Sequence, residues 1–424
     1  MTQQGKTRRR SVALLAGGST AGQLITFGLT PLISRLYTPD DFAVLTVIST
    51  IALTLGIVSA LRFDAAIPLP KRDQDAYSLV HLGLLATLII TTTGVIIALT
   101  FRQPISIAFG IEALSSWLWV APVSAGAMGT YVTLSQLAIR RQDFRPIGTR
   151  NVMTPSLTSA SQLAFGTGGL QPGGLPLGYL VGQLAGALSM AKRADLQSMR
   201  SASIRSPQSL KKVARRYRRF PLVLAPSALI NSLGTQLPIV LIALSYAPAE
   251  VGSLGLAQRV LYAPVVLVGV ALSQVYLSEL SRSVREGGSN IVSQFVRTSA
   301  VLAVAGFVVA LVLLVAGPQL FSTILGHDWE MSGRFAQLLA AAIALQLIAS
   351  PLSQTLIVAE RTALQFGWDL SRLLLTTGAV ALCIMSDLSA EKAVLAFSLS
   401  TAAAYVLSWL MSYSAVRRLR ATHP

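Results

Sequence analysis

The sequence predicts an all-α polytopic membrane protein of about twelve transmembrane helices, built as two six-helix lobes around a central cleft and related by a pseudo-twofold axis along the membrane normal. Three observations predict it: scarce charge, long uncharged runs alternating with basic loops, and an internal repeat close to half the chain apart. Of the 424 residues 53% are hydrophobic and 12% charged, with a mean hydropathy of +0.62. Soluble chains carry roughly 25% charged residues, so lipid must replace water over much of this surface. The net charge of +17 does not point to nucleic acid, because the cations cluster between uncharged runs, as in loops that face anionic lipid. One cysteine, Cys383, and three scattered histidines, His81, His327 and His423, leave no basis for a disulfide framework, a metal site or a cofactor.

A helix needs about 20 apolar residues to cross the hydrocarbon core. The basic start, Lys6 and Arg8 to Arg10, precedes an apolar run at 11–34 that is too long for a signal-peptide core and lacks a cleavage site, so a retained first helix is expected. Runs at 42–61, 76–101 and 113–139 follow. The stretch 151–191 is uncharged and long enough for two spans, with a Gly- and Pro-rich turn at 166–174 dividing it. Further runs lie at 220–249, 251–278, 298–326, 335–359, 362–386 and 393–416. The basic, Ser-rich stretch 192–219, with an amphipathic surface helix expected at 210–220, links a lobe at 1–191 to one at 220–424.

Charge fixes the orientation. With the N-terminus in the cytoplasm, 29 Lys and Arg fall inside and four outside (Arg35, Arg102, Arg334, Lys392), while Arg259 lies within a span. The positive-inside rule therefore places both termini in the cytoplasm.

The lobes echo each other. Tyr37-Thr-Pro39-Asp-Asp41-Phe42-Ala43 is matched, 209 residues on, by Tyr246-Ala-Pro248-Ala-Glu250-Val251-Gly252. Proline suits a first helical position, and an acid suits the first turn, near the positive end of the helix dipole. A second echo joins Leu134-Ser135-Gln136 to Leu352-Ser353-Gln354. Six helices per lobe insert both lobes the same way up, an arrangement of transporters that rock one lobe against the other.

The segment Thr30-Pro-Leu-Ile-Ser-Arg35-Leu-Tyr37-Thr-Pro39-Asp-Asp41-Phe42, followed by Leu61-Arg62-Phe63-Asp64-Ala-Ala-Ile67-Pro-Leu-Pro70, resembles the opening of bacterial polysaccharide-export flippases. These are the Wzx-type branch of the multidrug/oligosaccharidyl-lipid/polysaccharide exporter superfamily. Leu256-Ala-Gln-Arg259, Pro264 and Leu272-Ser-Gln274-Val-Tyr276 strengthen the likeness; Ala43 stands where relatives usually carry Gly. The resemblance implies a non-enzymatic protein of the bacterial inner membrane. Its cargo would be a polyprenyl-diphosphate-linked glycan, an O-antigen or exopolysaccharide repeat unit, and its partners a glycan polymerase and a chain-length regulator. Arginine suits such a diphosphate, since its planar fork stays charged and binds phosphate oxygens bidentately.

Ionisable groups inside spans are costly and are usually functional or paired. Arg259 sits roughly 12 Å into its span at 1.5 Å per residue, either a cleft cation or a partner of Glu250 or Asp369. Arg62 is a cargo contact or an interfacial anchor, and Arg35 a phosphate-release group or an anchor. Asp64 is a helix-end salt bridge or a proton-coupling group. Asp369 and Arg372, one turn apart, form an internal ion pair, or else a gate or proton-coupling site. In-helix amides such as Gln136 and Gln274 are sugar contacts or interhelical glue. Aromatic residues at span ends, including Tyr37, Tyr246 and Trp329, read as an interfacial belt. Two other functions stay open: a cation-coupled drug exporter of the same superfamily, which would need acidic and aromatic cleft groups, and a non-catalytic member of a glycan-assembly complex. An enzyme would require an aqueous domain that these short loops do not supply.

Overall fold

The computed structural model describes residues 3–194, 207–285, 291–359 and 361–422. The linker stretch 195–206, and the side chains of Lys6, Arg8 to Arg10, Pro264 and Gln274, lie outside the described residues. Among the described residues every regular element is helical. The chain divides into two compact units, Met1–Ser232 and Leu233–Pro424.

The first unit contains α1 (Gln3–Ser34), α2 (Pro39–Val58), α3 (Asp73–Thr100), the short α4 (Arg102–Phe109) and α5 (Leu114–Trp117), then α6 (Val120–Arg140), α7 (Arg145–Thr167), α8 (Gly174–Arg193) and α9 (Pro207–Arg216). Helix α6 is the hub, packing on α2, α3 and α8, while α7 pairs with α1 and α8. The second unit begins within α10 (Ala225–Ser245) and continues through α11 (Pro248–Arg285), α12 (Ile291–Leu325), α13 (Glu330–Leu352), α14 (Gln354–Val358), α15 (Thr362–Met385) and α16 (Ala390–Thr422). Here α13 is the hub, packing on α11, α12 and α16. Helix α15 packs on α16, and it reaches α10 through the Thr376 hydroxyl, which donates to the Gly234 carbonyl at 3.1 Å. Counting only long helices, the fourth is the hub and the fifth bridges the first and sixth in both units.

Eight stretches of the described residues are long and apolar enough to cross a membrane: Pro39–Val58, Asp73–Thr100, Gly174–Arg193, Phe220–Ser245, Ile291–Leu325, His327–Leu356, Leu364–Met385 and Ala390–Arg418. Leu88, Phe307 and Val315 on these helices are 62%, 66% and 70% exposed, a surface only hydrocarbon would cover. The protein is therefore a polytopic α-helical membrane protein. Helices α6 and α7 fall outside the eight because their interior is polar, burying Ser124, Thr133, Thr154, Ser159 and Gln162. Close approach explains the small residues there. A Cβ on Gly129 would collide with the Ser59 and Thr87 hydroxyls, and one on Gly182 with Thr158.

The repeated corner does the same work twice. Thr38 caps α2, donating its backbone N–H to Asp41 at 2.8 Å and accepting from the Asp41 amide at 3.3 Å. In the second copy the Ala247 amide donates to Glu250 at 3.0 Å. Tyr37 donates to the Gln162 carbonyl on α7 at 2.8 Å, and Tyr246 to the Leu388 carbonyl before α16 at 2.9 Å. Burial, reinforced by Asp41, pushes the Tyr37 hydroxyl up to about 12, so it remains a donor. The belt reading needs correcting for Tyr37 and Trp329, which are 4% and 1% exposed and fill the ends of their units. A carbonyl left bare inside a helical unit has no water to turn to. Tyr37→Phe is therefore expected to cost about 1–3 kcal/mol, seen as a lower Tm in detergent, with a smaller loss for Tyr246→Phe, which is less buried. Equal Tm values for all three proteins would contradict this.

Candidate functional site

The stretch Leu61–Pro70 is where regular structure fails. Helix α2 ends at Val58, and Leu61 and Arg62 then take the left-handed conformation in succession, with φ of 48° and 59°. Two such non-glycine residues cost roughly 1–2 kcal/mol each. The turn directs Phe63, Ala66 and Ile67 into an apolar cluster with Leu79, Leu134, Leu137, Val213 and Tyr217. It also buries Asp64, 3% exposed, at the head of a short 3₁₀ turn. The Arg62 guanidinium approaches Asp64 only to 3.9 Å, and its buried Nε has no hydrogen-bond partner. Burial pushes the Asp64 carboxyl above its ordinary value, outweighing the pull of Arg62 and two backbone amides.

Arg140, the last residue of α6, holds this stretch in place. It donates to the carbonyls of Ile67 (3.3 Å), Pro68 (3.3 Å) and Pro70 (2.7 Å), and through Nε and Nη2 to Asp73 (3.1 and 2.8 Å). Gln136 lies half-buried one turn earlier on the same face of α6. Arg35 is exposed in the α1–α2 corner, at the opposite end of α2 from Arg62; 20 residues of helix put them about 30 Å apart. These two arginines do not share a site.

In the second unit Arg259 is half-buried, twelve residues into α11. Gln274 belongs to the same helix, but its side chain lies outside the described residues. Asp369 and Arg372 are 5% and 6% exposed, one turn apart on α15. The Arg372 guanidinium lies 4.6 Å from the centre of the Trp368 ring, which packs 5.9 Å from Tyr405 of α16 and donates its indole N–H to the Ala404 carbonyl at 2.7 Å. Gly234 of α10 closes over Arg372, where a Cβ would come within 3.1 Å of its Nε. The structure thus gathers Arg62 with Asp64 in one unit, and Asp369 with Arg372 in the other.

Three polar groups that organise the first unit escape a linear reading. Arg140 and Arg150 look like ordinary loop cations directly after or before an apolar run. Yet Arg150 lies with its guanidinium 3.6 Å from the centre of the Tyr131 ring. Gln162 is fully buried, donating to the Leu175 carbonyl at 3.0 Å. Nothing in their local sequence separates them from anchors and interhelical amides.

Two helical units that keep arginines and carboxylates off the lipid surface define a membrane protein of the transporter class. The fold agrees. It superimposes with a TM-score of 0.77 on a lipid II flippase, MurJ, in an inward closed conformation, at 11% identity over 97% of this chain and 90% of that one. It matches an inward-facing multidrug resistance MATE-family transporter of the MOP superfamily with a TM-score of 0.70, at 15% identity over 95% and 96% of the two chains. The succinoglycan biosynthesis transport protein ExoT of Rhizobium meliloti (strain 1021) is 23% identical over 393 residues, covering 90% of this chain and 75% of that one. Residues 19–333 match the polysaccharide biosynthesis protein family, and the chain belongs to that family.

The raised Asp64 carboxyl has a consequence for stability. The folded protein holds the proton more tightly than the unfolded chain does, so ionised Asp64 costs stability at neutral pH, and the cost fades as pH falls toward the ordinary carboxylate range. Asp64→Asn is expected to raise Tm by a few degrees at pH 8 and by progressively less on acidification. A drop in Tm at pH 8 would show the Arg62 contact to be the stronger influence.

Proposed function

We propose that this protein is a flippase that moves a polyprenyl-diphosphate-linked oligosaccharide, an O-antigen or exopolysaccharide repeat unit, across the bacterial cytoplasmic membrane by alternating access. It moves the molecule without altering it chemically. The observation that carries the reading is family membership in polysaccharide biosynthesis combined with cations of one kind inside the helical units. Arg62 and Arg259 are assigned to the diphosphate, Arg35 to its release, and Gln136 and Gln274 to sugar hydroxyls. Arginine suits this cargo because it binds phosphate through a planar, permanently charged fork. The related ExoT is a succinoglycan biosynthesis transport protein, and MurJ, whose fold this chain shares, is a lipid II flippase.

The same reading gives twelve spans with both termini in the cytoplasm and lobes at 1–191 and 220–424 joined by the basic 192–219 linker. A glycan polymerase and a chain-length regulator are its expected neighbours. Asp64 and Asp369 with Arg372 are assigned to proton coupling or to ion pairs that change with conformation.

The two buried carboxylates favour a second reading, a cation-coupled drug exporter; the fold is shared with a multidrug resistance MATE-family transporter. Each of them, however, has an arginine within one turn, which leaves no acidic surface for a cationic drug. An Arg62→Ala, Arg259→Ala double variant is expected to insert at normal levels yet lose at least tenfold of surface glycan in a flippase-null strain. Full restoration of the glycan would remove both arginines from the mechanism. Drug resistance conferred by the wild-type protein would favour the second reading.

A further inference from the structure

Where α6, α7 and α8 meet at one end of the first unit they leave an open-mouthed cleft of about 300 Å³. Leu137 and Met190, each 2% exposed, close its floor, and the exposed residues Arg141, Asp143 and Arg193 stand around its rim. Each arginine is held by a neutral neighbour. Arg141 donates to the Tyr77 hydroxyl at 3.0 Å and lies 5.6 Å from the centre of that ring, while Arg193 donates to the Thr149 hydroxyl at 3.2 Å. Among the described residues neither arginine pairs with a carboxylate. Asp143 instead accepts the Arg145 backbone N–H at 3.3 Å. Two arginines against one aspartate leave the rim positive.

The floor of the cleft is also the dock of α9. Leu137 and Met190 belong to the apolar cluster that receives Val213 and Tyr217, which are 6% and 9% exposed. Helix α9 thus spends its apolar side on the first unit and leaves Lys211, Lys212, Arg215 and Arg216 exposed. Arg218 and Arg219 follow, exposed as well, and within one turn Leu222 and Val223 are 69% and 59% exposed. Such a change from exposed cations to exposed leucine and valine marks the level where lipid headgroups give way to hydrocarbon. A cleft that shares its floor with α9 lies close to that level. We propose that the cleft between Arg141 and Arg193 binds the phosphate of an anionic glycerophospholipid. A guanidinium carries five N–H groups, and each of these two spends one on a hydroxyl, which leaves the others for phosphate oxygens. The closed floor admits no acyl chain, so the phosphate sits between the arginines while the glycerol and its chains stay outside. A zwitterionic lipid brings a cation of its own to the same positive rim and binds less well. Asp143 opposes the anion and sets a limit on its affinity. The inference does not depend on what the protein transports.

The test uses the full-length protein in an uncharged detergent, with dioctanoyl phosphatidylglycerol as the probe and dioctanoyl phosphatidylcholine as its zwitterionic counterpart. Binding is read from thermal stabilisation and from lipid adducts in native mass spectrometry. Phosphatidylglycerol should saturate one strong site, and phosphatidylcholine should bind that site more weakly. An Arg141→Gln, Arg193→Gln double variant should weaken phosphatidylglycerol binding about tenfold or more. Lys211→Gln with Lys212→Gln, an equal loss of charge outside the cleft, should weaken it no more than about threefold. Equal losses in the two double variants would reveal diffuse attraction by a basic surface and overturn the site, as would equal binding of the two lipids. Displacement of phosphatidylglycerol by a lower concentration of farnesyl diphosphate would assign the cleft to a lipid-linked diphosphate and overturn the phospholipid. If the arginine double variant does not fold, Asp143→Asn decides: tighter binding supports the site, and unchanged or weaker binding overturns it. Because the readout is lipid binding to purified protein, failure of glycan export in a strain bears on the flippase reading alone.

Discussion

A helix end leaves backbone carbonyls without intrahelical partners, so each place where this chain leaves a helix needs donors and acceptors from elsewhere. Between α2 and α3 that requirement falls on one arginine. Arg140 supplies N–H groups to three carbonyls in Ile67–Pro70 and to the Asp73 carboxylate. With those groups satisfied, the chain can hold two consecutive left-handed residues and place Arg62 and Asp64 at the end of the unit. At the opposite corner the same requirement is met by Tyr37, by the Thr38–Asp41 capping box, and by Gln171, whose amide donates to the Leu36 and Gly166 carbonyls. Geometry at both ends therefore follows from side chains that satisfy the backbone where the helices stop.

The charges obey the same economy. Arginine is the cation chosen inside these units, and it lies against aromatic faces: Arg150 on Tyr131 and Arg372 on Trp368. A ring face lowers the cost of a desolvated guanidinium without neutralising it. Asp64 shows the opposite balance, buried so deeply that Arg62 at 3.9 Å does not compensate. Interior packing depends on residues with little or no side chain. Gly129 and Gly182 let hydroxyl-bearing helices touch, so the interior of the first unit is polar and dense at once.

The two units repeat a pattern of contacts rather than a sequence. In each, the fourth long helix is the hub, a corner tyrosine reaches a distant carbonyl, and an acid caps the following helix. The residues that keep this pattern are few, which is why only the corner motif and the Leu-Ser-Gln echo survive as visible similarity.

The amino-acid sequence by itself determined the class of the protein, because lipid as a solvent leaves its mark on every residue: charge is excluded from long runs and collected between them. It also determined the corners, since proline, a capping hydroxyl and an acid act through local backbone geometry. The tertiary structure alone decided which cations point inward. Arg140, Arg145 and Arg150 sit in one basic stretch and look alike in sequence, yet the first binds a turn, the second is exposed, and the third stacks on a ring from another helix. Helical phase and the neighbour that each phase meets set those fates, and both depend on residues dozens of positions away.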